Sequence, residues 1–131
     1  MNNTLSITVY PDPAKPPSLT FKDIPWFPGI TVIQAMVIAD AMDPTDFTFR
    51  AVFASLFGAF VDAINGLEDQ GDNFWMLYVG NVAATVGVSE SILIEDQNTG
   101  NIDIEWKYEH VSKDHPLRGQ AERKSASLRQ H

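Results

Sequence analysis

The sequence predicts a single α+β domain, one helix packed on antiparallel β-sheets, and three features predict it. One capped helix starts at Thr31; apolar residues alternate with polar ones near both ends of the domain; and turn signals, foremost Asn65-Gly66, cut the middle into short strands. A chain of 131 residues is long enough to bury one core and too short for two independent ones.

Taken in order, Leu5, Ile7 and Val9 alternate with Ser6 and Thr8 as in a half-buried strand, which a proline-rich loop at residues 11–17 ends. Leu19 and Phe21 alternate with Thr20 and Lys22 in a second strand, before the turn at residues 25–29 breaks the pattern. Thr31 with Gln34 three residues on is a capping box, and Ile30 stands in the hydrophobic-staple position. The helix then runs to about Met42 and stops before Pro44, which disfavours helical geometry at Asp43. Ile33, Met36, Val37 and Ala41 form its expected core stripe. Val32, Ile38, Ala39 and Met42 make the rest of its circumference apolar too, so either a loop covers the outer face or that face meets a partner.

From Phe47 the pattern is strand-like. Phe47, Phe49 and Ala51 alternate with Thr48 and Arg50, and residues 52–67 read as two strands hinged near Gly58 and stopped by Asn65-Gly66. Residues 67–73 read as an acidic surface loop leading into the apolar strand 74–79, which Gly80-Asn81 ends. Ile92-Leu93-Ile94 reads as a further strand. In the last strand Ile102, Ile104, Trp106 and Tyr108 face the core, and Asp103, Glu105, Lys107 and Glu109 face water. Strand 74–79 is apolar on both faces, so it is either sandwiched or lines a pocket.

Composition narrows the function classes. Through Ser112 four basic residues (Lys15, Lys22, Arg50, Lys107) stand against fifteen acidic ones, a balance of −11; residues 113–131 hold five basic and two acidic, +3, giving the net −8. So acidic a body repels phosphate backbones and anionic lipid, which argues against nucleic acid and membrane surfaces as partners. We read residues 1–112 as the domain and 113–131 as a basic, solvated tail, a contact arm being the alternative. The absence of cysteine excludes disulfides, thiolate metal sites and a thiol nucleophile. With no signal-peptide pattern and no segment long enough to span a bilayer, the chain as written is cytoplasmic by default.

Catalytic signatures are sparse. His110, His115 and His131 all lie at or beyond the end of the last strand, away from any core triad. Residues 96–101 have glycine at the fifth position and asparagine at the sixth, the reverse of a calcium loop's needs, and read as a hairpin turn. Glu68, Asp69 and Asp72 are acidic loop residues rather than a metal site, and no glycine-rich phosphate cradle is present. An enzyme would have to rely on Asp62, Arg50 or Tyr78 in a pocket.

The run from Gly58 to Leu67, the Trp75-x-x-Tyr78 strand and the closing Ile104-Glu105-Trp106-Lys107-Tyr108 strand together resemble the C-terminal β-domain of transcobalamin and intrinsic factor, a module that also occurs on its own in bacteria. The resemblance spans roughly residues 5–109 and implies a β-grasp-like arrangement and a non-catalytic small-molecule-binding or interaction module. In those carriers the β-domain covers a corrinoid held against a separate helical domain, touching it through loops and strand ends. The resemblance implies ligand contacts at Trp75, Tyr78, Asn65, Gly66, Gly80 and Asn81. Gly80-Asn81 inverts the Asn-Gly order common in relatives, which changes the residue suited to positive φ. Without a helical domain the corrinoid site carries over as a weak half-site. The alternative is a structural or assembly protein that self-associates, or binds a partner protein, through the apolar helix face or a sheet edge.

Overall fold

The computed structural model describes residues 4–43, 47–54, 58–80, 82–83, 93, 101–112 and 114. Strand β1 (Thr4–Tyr10) pairs antiparallel with β2 (Leu19–Pro25), and helix α1 (Val32–Met42) follows. Strands β3 (Phe49–Ala54), β4 (Gly58–Ile64) and β5 (Leu67–Glu68) form an antiparallel sheet in that order. Strands β6 (Asn73–Val79), β7 (Val82–Ala83) and β8 (Asn101–His110) complete a five-stranded sheet of order β2-β1-β8-β6-β7. The α+β class expected from the sequence is the one that forms. The central pair β1–β8, however, is parallel, so the larger sheet is mixed. A parallel neighbour needs a long crossover connection, and here, among the described residues, the chain traverses α1 and six strands between the two.

Alternation places the core. Leu5, Ile7 and Val9 of β1 stand in register with Ile102, Ile104 and Trp106 of β8, and Leu77 and Val79 of β6 stand opposite Trp106 and Ile104. All but Val79 are buried, and the ladder shares one core with Val32, Ala35, Met36 and Ala39 of α1. Each large aliphatic side chain so buried contributes about 1.5–3 kcal/mol. A bulge interrupts β2: Leu5 pairs with Ile24 and Ile7 with Phe21, so Lys22 and Asp23 together face Ser6. Asp23 takes φ 62°, which restores phase, buries Ile24 and carries the strand on to Pro25.

The helix begins and ends where the sequence places it. Thr31 N–H donates to Gln34 Oε1 at 2.9 Å and Gln34 N–H to Thr31 Oγ1 at 3.4 Å; at the other end Asp43 N–H donates to Ala39 O at 3.1 Å. Its buried stripe corrects the expected one. Val32, Ala35, Met36 and Ala39 face the core, whereas Val37 is 54% exposed and Ala41 is exposed as well. A helix apolar on nearly every side carries little directional signal, and the cap and sheet set its rotation.

The Asn65-Gly66 hairpin forms as expected, with φ 51° and 84° at its two central residues and Ile64 paired to Leu67. Phe47 precedes β3 and is a buried plug against Phe21 and Phe49, with ring centroids 5.4 and 5.7 Å away. Residues 67–73 are more than a solvated loop: Leu67 and Glu68 form β5, Asp69 N–H donates to Asp62 O at 2.8 Å, and Asp69 Oδ1 accepts from Trp75 N–H at 2.8 Å. The polar side chains there cap backbone donors. Of the strand expected at residues 92–94, Leu93 is described and lies outside any strand; its N–H donates to Ile30 O at 2.8 Å and its carbonyl accepts from Trp26 Nε1 at 2.9 Å. Ile92 and Ile94, the turn before Asn101 and the basic tail apart from Asp114 lie outside the described residues.

Candidate functional site

Of the six residues singled out by sequence, the five described ones do not converge on one place. Trp75 is in the main core, 2% exposed, with its Nε1–H donating to Leu67 O at 2.7 Å and its ring 5.2 Å from that of Tyr108. Tyr108 Oη–H in turn donates to Glu68 O at 2.6 Å, so the two aromatics fasten β5 to the larger sheet. Burial, then the nearby Asp69 charge, raises the Tyr108 phenol above its ordinary pKa. Tyr78 is three residues along the same strand and therefore on the opposite face, against Phe74, Met76 and Val111. Strand β6 is thus apolar on both sides because it packs on both sides.

Tyr78 belongs to an aromatic and charged row on the helix-distal face of the sheet. Lys107 Nζ stands 4.6 Å from the centroid of the Tyr78 ring and 5.8 Å from that of Tyr10, both within cation–π range. Tyr78 Oη–H donates to Glu109 Oε1 at 2.5 Å. Burial foremost, then the Glu109 bond and charge, push the Tyr78 phenol well above its ordinary pKa; burial and Glu105 raise Tyr10. These phenols are neutral hydrogen-bonding groups at physiological pH and unsuited to act as bases. Further along this face, the buried Ser6 hydroxyl donates to Asp103 Oδ1, which also accepts from Asn101 Nδ2 at 2.8 Å. Sequence reading missed this group because the parallel β1–β8 register assembles it.

Gly80 closes the far end of β6 with φ 57°, its N–H donating to Asp103 O at 2.9 Å. Asn81 lies outside the described residues. Asn65 and Gly66 are on the smaller sheet, at the rim of a hollow of about 210 Å³ shared with Thr48, Phe49, Arg50, Ala63 and Glu68. Asn65 Oδ1 accepts from Thr48 N–H at 2.8 Å. Arg50 makes a bidentate pair with Asp62 at 2.8 and 2.9 Å and reaches Glu68 at 3.2 Å, and the Asp62 bond holds its pKa above the ordinary value. Arg50 and Asp62 thus form a cross-strand staple on a different sheet from Tyr78. Among the described residues no group of three or more His, Cys, Asp or Glu gathers in a metal-holding arrangement, and Glu68, Asp69 and Asp72 make none.

A second hollow, about 370 Å³, runs along the outward face of α1 between Phe27, Ile33, Gln34, Val37 and Ile38. The turn at residues 25–29 walls one side of it without covering it. Trp26 points inward to Leu93, whereas Phe27 is 42% exposed, and Met42 beyond it is 55% exposed. The all-round apolar helix was the sequence signal for this groove. Among the described residues no helix is long and apolar enough to cross a membrane.

An antiparallel hairpin, one helix and a closing strand parallel to the first define an α+β domain of β-grasp-like order. The fold is similar to part of haptocorrin, a transcobalamin-family protein solved in complex with Cbi: the TM-score is 0.61 at 17% identity, over 82% of this chain and 25% of that one. The chain therefore spans about a quarter of haptocorrin's length. A looser overlap, TM-score 0.48 at 8% identity, joins 82% of this chain to 98% of a "putative metal binding protein" from Ruminococcus gnavus ATCC 29149 and bears on nothing further. No family model matches the chain, and no curated protein matches it.

Proposed function

We propose that the chain is a non-catalytic binding module that supplies one wall of a small-molecule site, a weak half-site of the corrinoid type. The observation that carries this reading is the fold overlap with a quarter of haptocorrin, a protein solved with Cbi bound. A module of that size covers one side of a ligand and leaves the other to a second domain or chain. Residues 1–112 are the module in this reading, and the tail is an accessory to it. The ligand contacts are Tyr78 with the turn at Gly80-Asn81 on the larger sheet, the turn at Asn65-Gly66 on the smaller sheet being the alternative contact, while Trp75 supports β6 from the core.

Isothermal titration of the chain with cobinamide tests it. Saturable binding that Tyr78→Ala weakens, and that Trp75→Phe leaves in place once the variant is shown to be folded, is the expected result. An absence of binding up to a Kd of about 1 mM, or about 4 kcal/mol, removes the half-site reading.

The second reading has its own observation, the apolar groove of α1, uncovered among the described residues, with Val37 and Met42 more than half exposed. Here the module binds a partner protein or a second copy of itself through the helix face. Sedimentation equilibrium of the wild type and Val37→Glu tests self-association: a mass that falls to the monomer in the variant supports it, and a wild-type monomer at all concentrations ends it.

A further inference from the structure

We draw no further inference here: the strongest candidate, the apolar groove on the outward face of α1 lined by Phe27, Ile33, Gln34, Val37 and Ile38, carries nothing beyond the second reading above because nothing in the structure shows what covers it.

Discussion

Two tryptophans on adjacent strands, each 2% exposed, make a controlled comparison. Trp75 Nε1–H donates to Leu67 O at 2.7 Å, whereas Trp106 Nε1–H is buried with no hydrogen-bond partner among the described residues. Replacing either by Phe removes the same atoms and leaves a similar void, so the packing loss is shared. The hydrogen-bond terms differ in sign. Trp75→Phe forfeits a bond worth about 1 kcal/mol, while Trp106→Phe deletes a buried donor whose lost hydration costs the native state about 1–3 kcal/mol. Trp106→Phe should therefore be more stable than Trp75→Phe by about 2–4 kcal/mol. Urea unfolding followed by far-UV circular dichroism measures it. With m of about 2 kcal/mol/M, the two midpoints should stand about 1–2 M apart. A Trp106→Phe midpoint at or below that of Trp75→Phe would refute the reasoning.

Three further outcomes are expected. Thr31→Ala should cost about 1 kcal/mol, and Gln34→Ala should also destabilise, because each removes one half of the capping box; the double variant, compared with the two singles in urea, shows whether the halves act as a unit. Gly66→Ala should cost about 1–2 kcal/mol from backbone strain at φ 84°, since an added Cβ there meets no atom within 4 Å; a midpoint shift near zero would show that the turn relaxes freely. Tyr10, Tyr78 and Tyr108 all have folded-state pKa values raised above the unfolded one. Their stabilisation is thus complete below about pH 10 and lost as pH rises beyond it. For half-buried Tyr78 the slope is at most about 1.4 kcal/mol per pH unit, reduced by solvent screening. Urea midpoints from pH 8 to 12 should fall above pH 10, less steeply in Tyr78→Phe; parallel slopes would remove Tyr78 from the account.

What the sequence made legible was local. The bounds of α1 follow from Thr31, Gln34 and Pro44, all within or just beyond the helix, and the β4–β5 hairpin follows from two adjacent residues with positive φ. Alternation marks β1 and β8 because each presents one face to the core and one away from it. Partnering was not legible in the same way: Leu5 lies 97 positions from Ile102, and nothing local at either strand specifies a parallel neighbour. The β2 bulge hid for a related reason, since the extra residue at Lys22-Asp23 puts Ile24 out of phase with Phe21. The rotation of α1 hid because nearly every side of it is apolar.

The candidate site poses a sharper case. Trp75 and Tyr78 come forward together in the resemblance, yet an odd spacing on a strand puts two side chains on opposite faces of the sheet. They cannot both touch one ligand lying on one face. Their surroundings differ: Trp75 is closed in by Tyr108 and the Leu67 carbonyl, while half-buried Tyr78 shares its face with Tyr10 and Lys107. A stability loss in Trp75→Ala would thus report on the core, and a binding loss in an unfolded variant would say nothing of a site. Tyr78→Ala and Gly80→Ala probe the end of β6 on the larger sheet, and Asn65→Ala probes the hairpin of the smaller one. If titration with cobinamide is weakened by Tyr78→Ala and Gly80→Ala but not by Asn65→Ala, the ligand lies across the helix-distal face. If Asn65→Ala alone weakens it, the hollow beside Arg50 is the site, and the aromatic row around Lys107 is structural.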